Sequence, residues 1–410
     1  MVRKVLSTPG VARIFASSLV GRIPGGALGI LLILRLRELG GGYAGGGIVA
    51  GAFALGSGAA APLVGRLVDA RGQTRILLTS AATSAGALVA LALAPTGTPL
   101  VALLALAAIA GGASPPLAAC LRALWPVLLT DAARRHAAYA LESAALEISY
   151  ILGPLVLVGV VAVHSAALAL ATCAVLLTTG SIAFAATPAS RAWIPATGVR
   201  RGLAGALSSP GVRTLLVALA FIGTSFGAIE VAVVAFAEHA DAPGAIGPLL
   251  SGWGLASMVG GAIAIRLGPP RAPVRRLVAL LAALAATDAL LLAASSPLAL
   301  GVLLIVAGAA IAPVFAIVYT LAGDVAREGT VTEAFTWLST GIAIGLATGS
   351  AAGGALAASG GARAGFVAAA VGATLAALTV RARAGDLVPV ADAEAAEAAP
   401  ASTAVPAGAG

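Results

Sequence analysis

The stretch Gly65-Arg66-Leu67-Val68-Asp69-Ala70-Arg71-Gly72-Gln73-Thr74-Arg75 is a charged turn set between two long apolar runs. A worn copy of its surroundings returns at a constant offset of 200, with Leu55, Arg66, Leu67, Arg75 and Leu77 matched by Leu255, Arg266, Leu267, Arg275 and Leu277. Thr8-Pro9-Gly10-Val11 likewise returns as Ser209-Pro210-Gly211-Val212. A chain of 410 residues that repeats itself at this period reads as two homologous halves.

The solvent of those halves follows from composition. The chain is 60% hydrophobic and only 10% charged, with a mean hydropathy of +1.04, well outside the range of water-soluble domains. The apolar runs are about 20 residues long, the length of a helix that crosses the hydrocarbon, and lack the period-2 alternation of a barrel strand. Twelve are predicted, over residues 11–34, 43–64, 76–94, 99–121, 138–162, 166–187, 211–237, 244–265, 276–294, 297–322, 333–357 and 363–381. The fold class is therefore an all-α integral membrane protein of twelve helices in two pseudo-symmetric six-helix bundles. The expected organisation is a first bundle over 1–187, a linker over 188–210, a second bundle over 211–383 and a disordered tail over 384–410.

Lys and Arg are retained on the cytoplasmic side of a membrane. Twenty of the 24 basic residues fall at the N-terminus, in alternate loops or at the C-terminus, including Arg122, Arg134 and Arg135 after span four. Arg35, Arg37 and Arg363 fall opposite, and Arg22 lies inside span one. Both termini are expected in the cytoplasm, with the protein in the cell (inner) membrane. The net charge of +8 has this origin and gives no reason to expect nucleic acid. Cys120 and Cys173 fall within spans and read as packing residues.

Gly65-x3-Asp69-x2-Gly72-x2-Arg75, between spans two and three of a twelve-span chain, resembles the signature of the major facilitator superfamily, and the resemblance extends to about Arg383. Gly65 and Gly72 suit close helix approach and a tight turn, and Asp69 suits the positive N-terminal end of a helix. The resemblance implies that Asp69 braces the two halves near the start of span eleven, at Thr332–Glu333, in the state closed to the cytoplasm. It also implies that Arg75 pairs with an acid at the end of span four, for which Asp131 is the candidate. The chain departs from the pattern at Ala70, where an arginine is usual, and the second-half copy has Pro269 in place of the acid.

Ionisable residues at membrane depth are costly and are candidates for function. Arg22 stands midway along span one. Ser143, Glu147, Tyr150 and Pro154 form one polar stripe on span five, which makes Glu147 and Tyr150 candidates for substrate or proton contact, or else for a tie to a neighbouring helix. Glu142 lies on a different face, nearer the cytoplasmic end, and is expected at the gate between halves. Glu230, in the outer half of span seven, is either a substrate or proton group or a vestibule residue. Asp288, in span nine, reads as a local hydrogen-bonding residue. Gly153-Pro154 is similar to part of the antiporter motif of drug exporters, whereas span four carries Gly111-Gly112 and Pro115-Pro116 and lacks those exporters' intramembrane arginine. The Gly341, Gly345, Gly349 and Gly353 series reads as a packing face on span eleven.

Motifs of soluble enzymes fail on context. Gly223-Thr224-Ser225-Phe226-Gly227 matches a nucleophile elbow but has no strand before it. The single lysine, Lys4, leaves no phosphate-binding loop, and His136, His164 and His239 are too scattered for a zinc site, so neither an enzyme nor a metal or other cofactor is expected. The resulting expectation is a monomeric secondary active transporter for a small molecule, powered by the proton gradient and directed to efflux. The alternatives are an uptake permease of the same fold and a sensor that no longer transports.

Overall fold

The computed structural model describes residues 2–41, 43–193 and 205–388. Inside hydrocarbon, each backbone polar group must be satisfied within its own segment, and these residues form helices throughout. In chain order the spans are α1 (Val11–Gly26 and Leu28–Glu38, bent by 46°), α2 (Gly45–Arg71), α3 (Gln73–Leu93) and α4 (Leu100–Leu128). There follow α5 (Ala132–Val163) and α6 (Ala166–Ala185), then α7 (Pro210–His239), α8 (Ile246–Leu267) and α9 (Pro273–Ala293). The last three are α10 (Pro297–Val325), α11 (Val331–Ala357) and α12 (Gly360–Ala382). An even number of crossings brings both ends of the helical region, Val11 and Ala382, to one face, here called the termini face.

The helices run past the predicted ends on that face. Span two, predicted to stop at residue 64, continues to Arg71, because nothing interrupts it until Gly72, whose φ of 91° suits glycine and turns the chain into α3. Span four, predicted to stop at 121, continues to Leu128, which moves Arg122 from a loop into the helix. The bend in α1 has a sequence cause: Pro24 and the glycines beside it turn Ile23–Gly26 into a 3₁₀ segment directly after Arg22.

The repeat seen in sequence reappears in packing. In the first bundle, α4 crosses α2 so closely that Gly111 lies against the carbonyl of Phe53, with no room for a Cβ. In the second bundle, Gly308 of α10 lies in the same way against the carbonyl of Trp253 on α8. The glycine series of α11 packs along α7, with Gly345 against the Ala220 carbonyl and Gly349 against that of Thr224. Gly223 and Gly227 form the α7 side of this seam, which gives the elbow-like string a packing explanation. On the opposite face, Arg35 pairs with Glu38 at 2.9 Å and donates to the carbonyls of Leu91, Ala92 and Ala94, closing the end of α3. Glu38 in turn accepts from the Ala166 N–H at the start of α6.

One boundary differs from expectation. The residues after Arg383 were expected to be disordered, yet Ala384–Leu387 forms a 3₁₀ turn that docks on α7. Leu387 is buried, and Asp386 accepts from the Thr214 hydroxyl at 2.8 Å, so one apolar anchor and one polar one hold this part of the tail. In the linker, Thr187 caps a short helix over Pro188–Arg191, and Arg200 and Arg201 lie outside the described residues.

Candidate functional site

Asp69 lies in the last turn of α2 and is 1% exposed. Its carboxylate accepts the Thr332 N–H at 3.1 Å and the Glu333 N–H at 2.8 Å, two of the N–H groups that the start of α11 leaves without an intrahelical partner. The positive end of the α11 dipole favours the negative charge placed there. This contact joins the first bundle to the second. Gly65, one helical turn earlier, makes it possible: a Cβ there would lie 3.0 Å from Glu333 Cα and overlap Thr336. A second inter-bundle link, two turns deeper, runs from the Thr340 hydroxyl to the Gly58 carbonyl at 3.2 Å.

The expected Arg75–Asp131 pair is not formed. Asp131 caps its own helix, accepting the Ala133 N–H at 2.9 Å, and pairs with Arg134 at 3.2 Å, while Arg75 is exposed on α3. The Ala133 N–H, followed by Arg134, holds the Asp131 carboxyl below the usual carboxylate range. An acid at an N-cap is already committed to local donors, which is why it does not reach across to Arg75.

Deeper in the first bundle is a charge cluster that the sequence showed only in part. Glu142 of α5 is fully buried, and its Oε1 lies 3.0 Å from Arg122 Nε and 3.4 Å from an Arg22 terminal nitrogen. The first contact is an ion pair and not a directed hydrogen bond, because the Arg122 Nε–H has no aligned acceptor. The Trp125 indole N–H donates to the other carboxylate oxygen at 3.3 Å. Two guanidinium groups against one carboxylate leave the trio with one net positive charge. Arg122 also stacks on the ring of Tyr319, 3.8 Å from its centroid, reaching α10 in the second bundle. Tyr139, Tyr319 and Phe335 continue this as a ring cluster between α5, α10 and α11. Hydropathy alone ends span four at residue 121 and leaves Arg122 in a loop, whereas the helix carries it inside. The signal was available: Arg122 sits within the run from Cys120 to Leu129, in which it is the only charged residue.

Above this plug, on the side away from the termini, lies a cavity of about 510 Å³ between α1, α2, α4, α5 and α11. Phe53, Ser57, Ser114, Ser149 and Thr340 line it, and Arg22 is its one charged lining side chain among the described residues. Gly153 of α5 fits against the Ile23 carbonyl, so the Gly-Pro element of span five packs on the broken part of α1 that carries Arg22.

Of the remaining predicted residues, Glu230 and Asp288 are not assembled there. Glu230 is exposed in the outer half of α7 and does not line the cavity. Phe226, one turn before Glu230 on nearly the same face, packs on Trp253 and Phe315. Ser225, on the far side of the helix, donates to Asp288 of α9 at 2.7 Å. Glu230 thus shares the face of α7 that packs on α8 and α10, away from α9. The side chains of Glu147 and Tyr150 lie outside the described residues.

Comparison with known proteins agrees with this architecture. The profile of the Major Facilitator Superfamily matches residues 14–287, and the chain belongs to that family. It is a multi-pass membrane transporter of the secondary type for small molecules, and not an enzyme. Among solved structures, a bacterial homologue of the iron transporter ferroportin in an outward-facing state aligns with a TM-score of 0.74 at 12% identity, covering 91% of this chain and 99% of that one. The human organic anion transporter MFSD10 aligns at 0.70 and 19% identity, with 91% and 99% covered. The E. coli fucose:proton symporter aligns at 0.72 and 13% identity, with 91% and 98% covered. At these identities the likeness is one of fold. No curated protein sequence matches the chain.

Proposed function

We propose that this protein is a proton-coupled exporter of an amphipathic small molecule, acting as a monomer in the cell membrane with both termini in the cytoplasm. In that orientation the Asp69–α11 contact and the ring cluster close the cytoplasmic side, and the cavity faces outward. The observation that carries the reading is Glu142, buried between Arg22 and Arg122 directly beneath the cavity. Ionised, Glu142 can pair with a cationic group of the substrate, and protonated from the outer side it releases that group, so proton entry and substrate exit alternate on one carboxylate. The same event loosens Arg122 beside Tyr319, at the contact between bundles. Proton and substrate thereby act on one trio, the requirement for coupling. Glu230 serves as a second proton or substrate group at the outer mouth, and Glu147 with Tyr150 extends the site along α5. The packing of Gly153 on the α1 break supports export, because it links the exporter-like element to the arginine of the cavity.

The test is proton movement in liposomes that hold the purified protein and an internal pH dye, screened with cationic drugs, sugars and organic acids. A compound that dissipates an imposed pH gradient with the wild type but not with Glu142→Gln supports the coupling assigned here. Coupling that survives this substitution and is lost in Glu147→Gln or Glu230→Gln moves the proton site to those residues. A wild type silent to the whole panel, with tight ligand binding retained, points to the sensor alternative. An outward cavity with a single arginine also suits uptake of an anionic nutrient, and accumulation of organic acids inside the vesicles would mark that outcome.

A further inference from the structure

A second cavity, of about 490 Å³, lies at the termini face between α8, α9 and α10, with α5 of the other bundle at its edge. Its walls are of two kinds. Ile263, Leu267, Leu280 and Ile317 are apolar, and Ile263 and Leu267 are more than half exposed, so this side opens toward the lipid. Arg276 and His136 are the polar members. His136 is only 3% exposed, and its Nδ1 has no hydrogen-bond partner. A buried ring nitrogen without a partner is costly unless a ligand or water completes it.

The surroundings set the charge of that ligand. From Arg266 to Arg276 the α8–α9 connection carries Arg266, Arg271, Arg275 and Arg276 and no acid. On the α5 side, Arg134 is offset by Asp131, and Asp324 of α10 lies near Arg135. The net field at the cavity mouth is positive. A basic pocket between membrane helices with an apolar wall open to lipid matches an anionic headgroup whose acyl chain runs along the wall.

We propose that this cavity binds an anionic phospholipid of the adjacent leaflet, with its phosphate between Arg276 and His136 and its chain against Ile263 and Leu267. Because His136 belongs to the first bundle and Arg276 to the second, the lipid spans the joint and favours the state in which the termini face is closed. This site is separate from the cavity beside Arg22, and its test requires no transport.

The test is native mass spectrometry of the full-length detergent-solubilised protein titrated with phosphatidylglycerol or phosphatidylcholine. The expected result is one phosphatidylglycerol held more tightly than phosphatidylcholine, weakened about fivefold by Arg276→Gln, the effect of one arginine at an anionic lipid. His136→Leu should weaken it as well, and Ile263→Trp, which fills the chain groove without removing charge, should exclude the lipid. Arg363→Gln, on the other face of the protein, should leave it unchanged. Each variant is accepted only if it elutes as a single sharp species, and Ile263→Trp keeps the question open to refutation if the charge variants fail to fold. Equal affinity for both lipids, insensitivity to Arg276→Gln and Ile263→Trp, or displacement of the lipid by inorganic phosphate alone would overturn the proposal.

Discussion

Asp69→Asn should open the termini face. Asparagine keeps the volume and one acceptor oxygen, but turns an amino group toward one of the two N–H donors of Thr332 and Glu333. A hydrogen bond to a charged acceptor is worth ~1.5–3 kcal/mol, and the helix terminus adds about 0.3–1 kcal/mol for the lost charge. Because the partners belong to different bundles, nearly all of this loss falls on the closed state. A net shift of about 2–3 kcal/mol moves the conformational equilibrium by roughly 30- to 150-fold. The reporter is Ala334→Cys, which replaces a small, fully buried residue just after the contact, in a background with Cys120 and Cys173 replaced by alanine. Its rate of modification by a membrane-impermeant maleimide, applied from the termini face of proteoliposomes, follows the open fraction. The reasoning predicts a rate increase of that order with Asp69→Asn. It also predicts an increase with Gly65→Ala, whose Cβ overlaps Thr336. An unchanged rate in Asp69→Asn would refute the claim that these two hydrogen bonds hold the face closed.

Arg122→Leu should be more damaging than Glu142→Gln, since it leaves a fully buried carboxylate with the more distant Arg22 as its only cationic partner among the described residues. Losing one member of a buried pair costs about 3–5 kcal/mol, and adding Glu142→Gln to Arg122→Leu should recover part of it, read as thermal unfolding in detergent. Gly111→Leu should fail to give a monodisperse protein, because the Phe53 carbonyl occupies the space of its Cβ, and overpacking costs about 1–3 kcal/mol or more. Asp131 has a folded pKa below its unfolded value, so its contribution is present above the unfolded pKa and lost as pH falls through the folded one. Asp131→Ala should therefore lower the unfolding temperature at neutral pH, and the difference from wild type should vanish in strong acid.

The fold was largely legible because the bilayer permits few solutions. Runs of about 20 apolar residues must be helices, and the offset of 200 between Arg66 and Arg266 announced the duplication that Gly111 and Gly308 realise in packing. Errors gathered at helix ends, for one reason. Hydropathy marks the hydrocarbon, whereas a helix stops only where its backbone is interrupted, and α2 runs on to Gly72 through Arg66 and Asp69. The same gap between hydropathy and helix misplaced Arg122. A span that hydropathy ends at the first charge leaves an arginine buried in α4 among the loop residues.

Asp69 could be placed because its partner is a backbone feature, the start of a helix, and any sequence that begins α11 there supplies the same two N–H groups. Arg75 and Asp131 failed because pairing between side chains depends on rotamer and on competing local donors, and Asp131 has both the Ala133 N–H and Arg134 within its own first turn. Glu142 shows the other side of this limit. Its position along α5 was read correctly, yet nothing in the sequence tells that Arg22, 120 positions earlier, reaches it from the broken end of α1. That pairing depends on the Gly153–Ile23 contact, which sets how close α5 comes to the break. The charge trio is therefore a consequence of packing. The glycine that lets two backbones meet also brings the cavity's arginine to the Glu142 carboxylate.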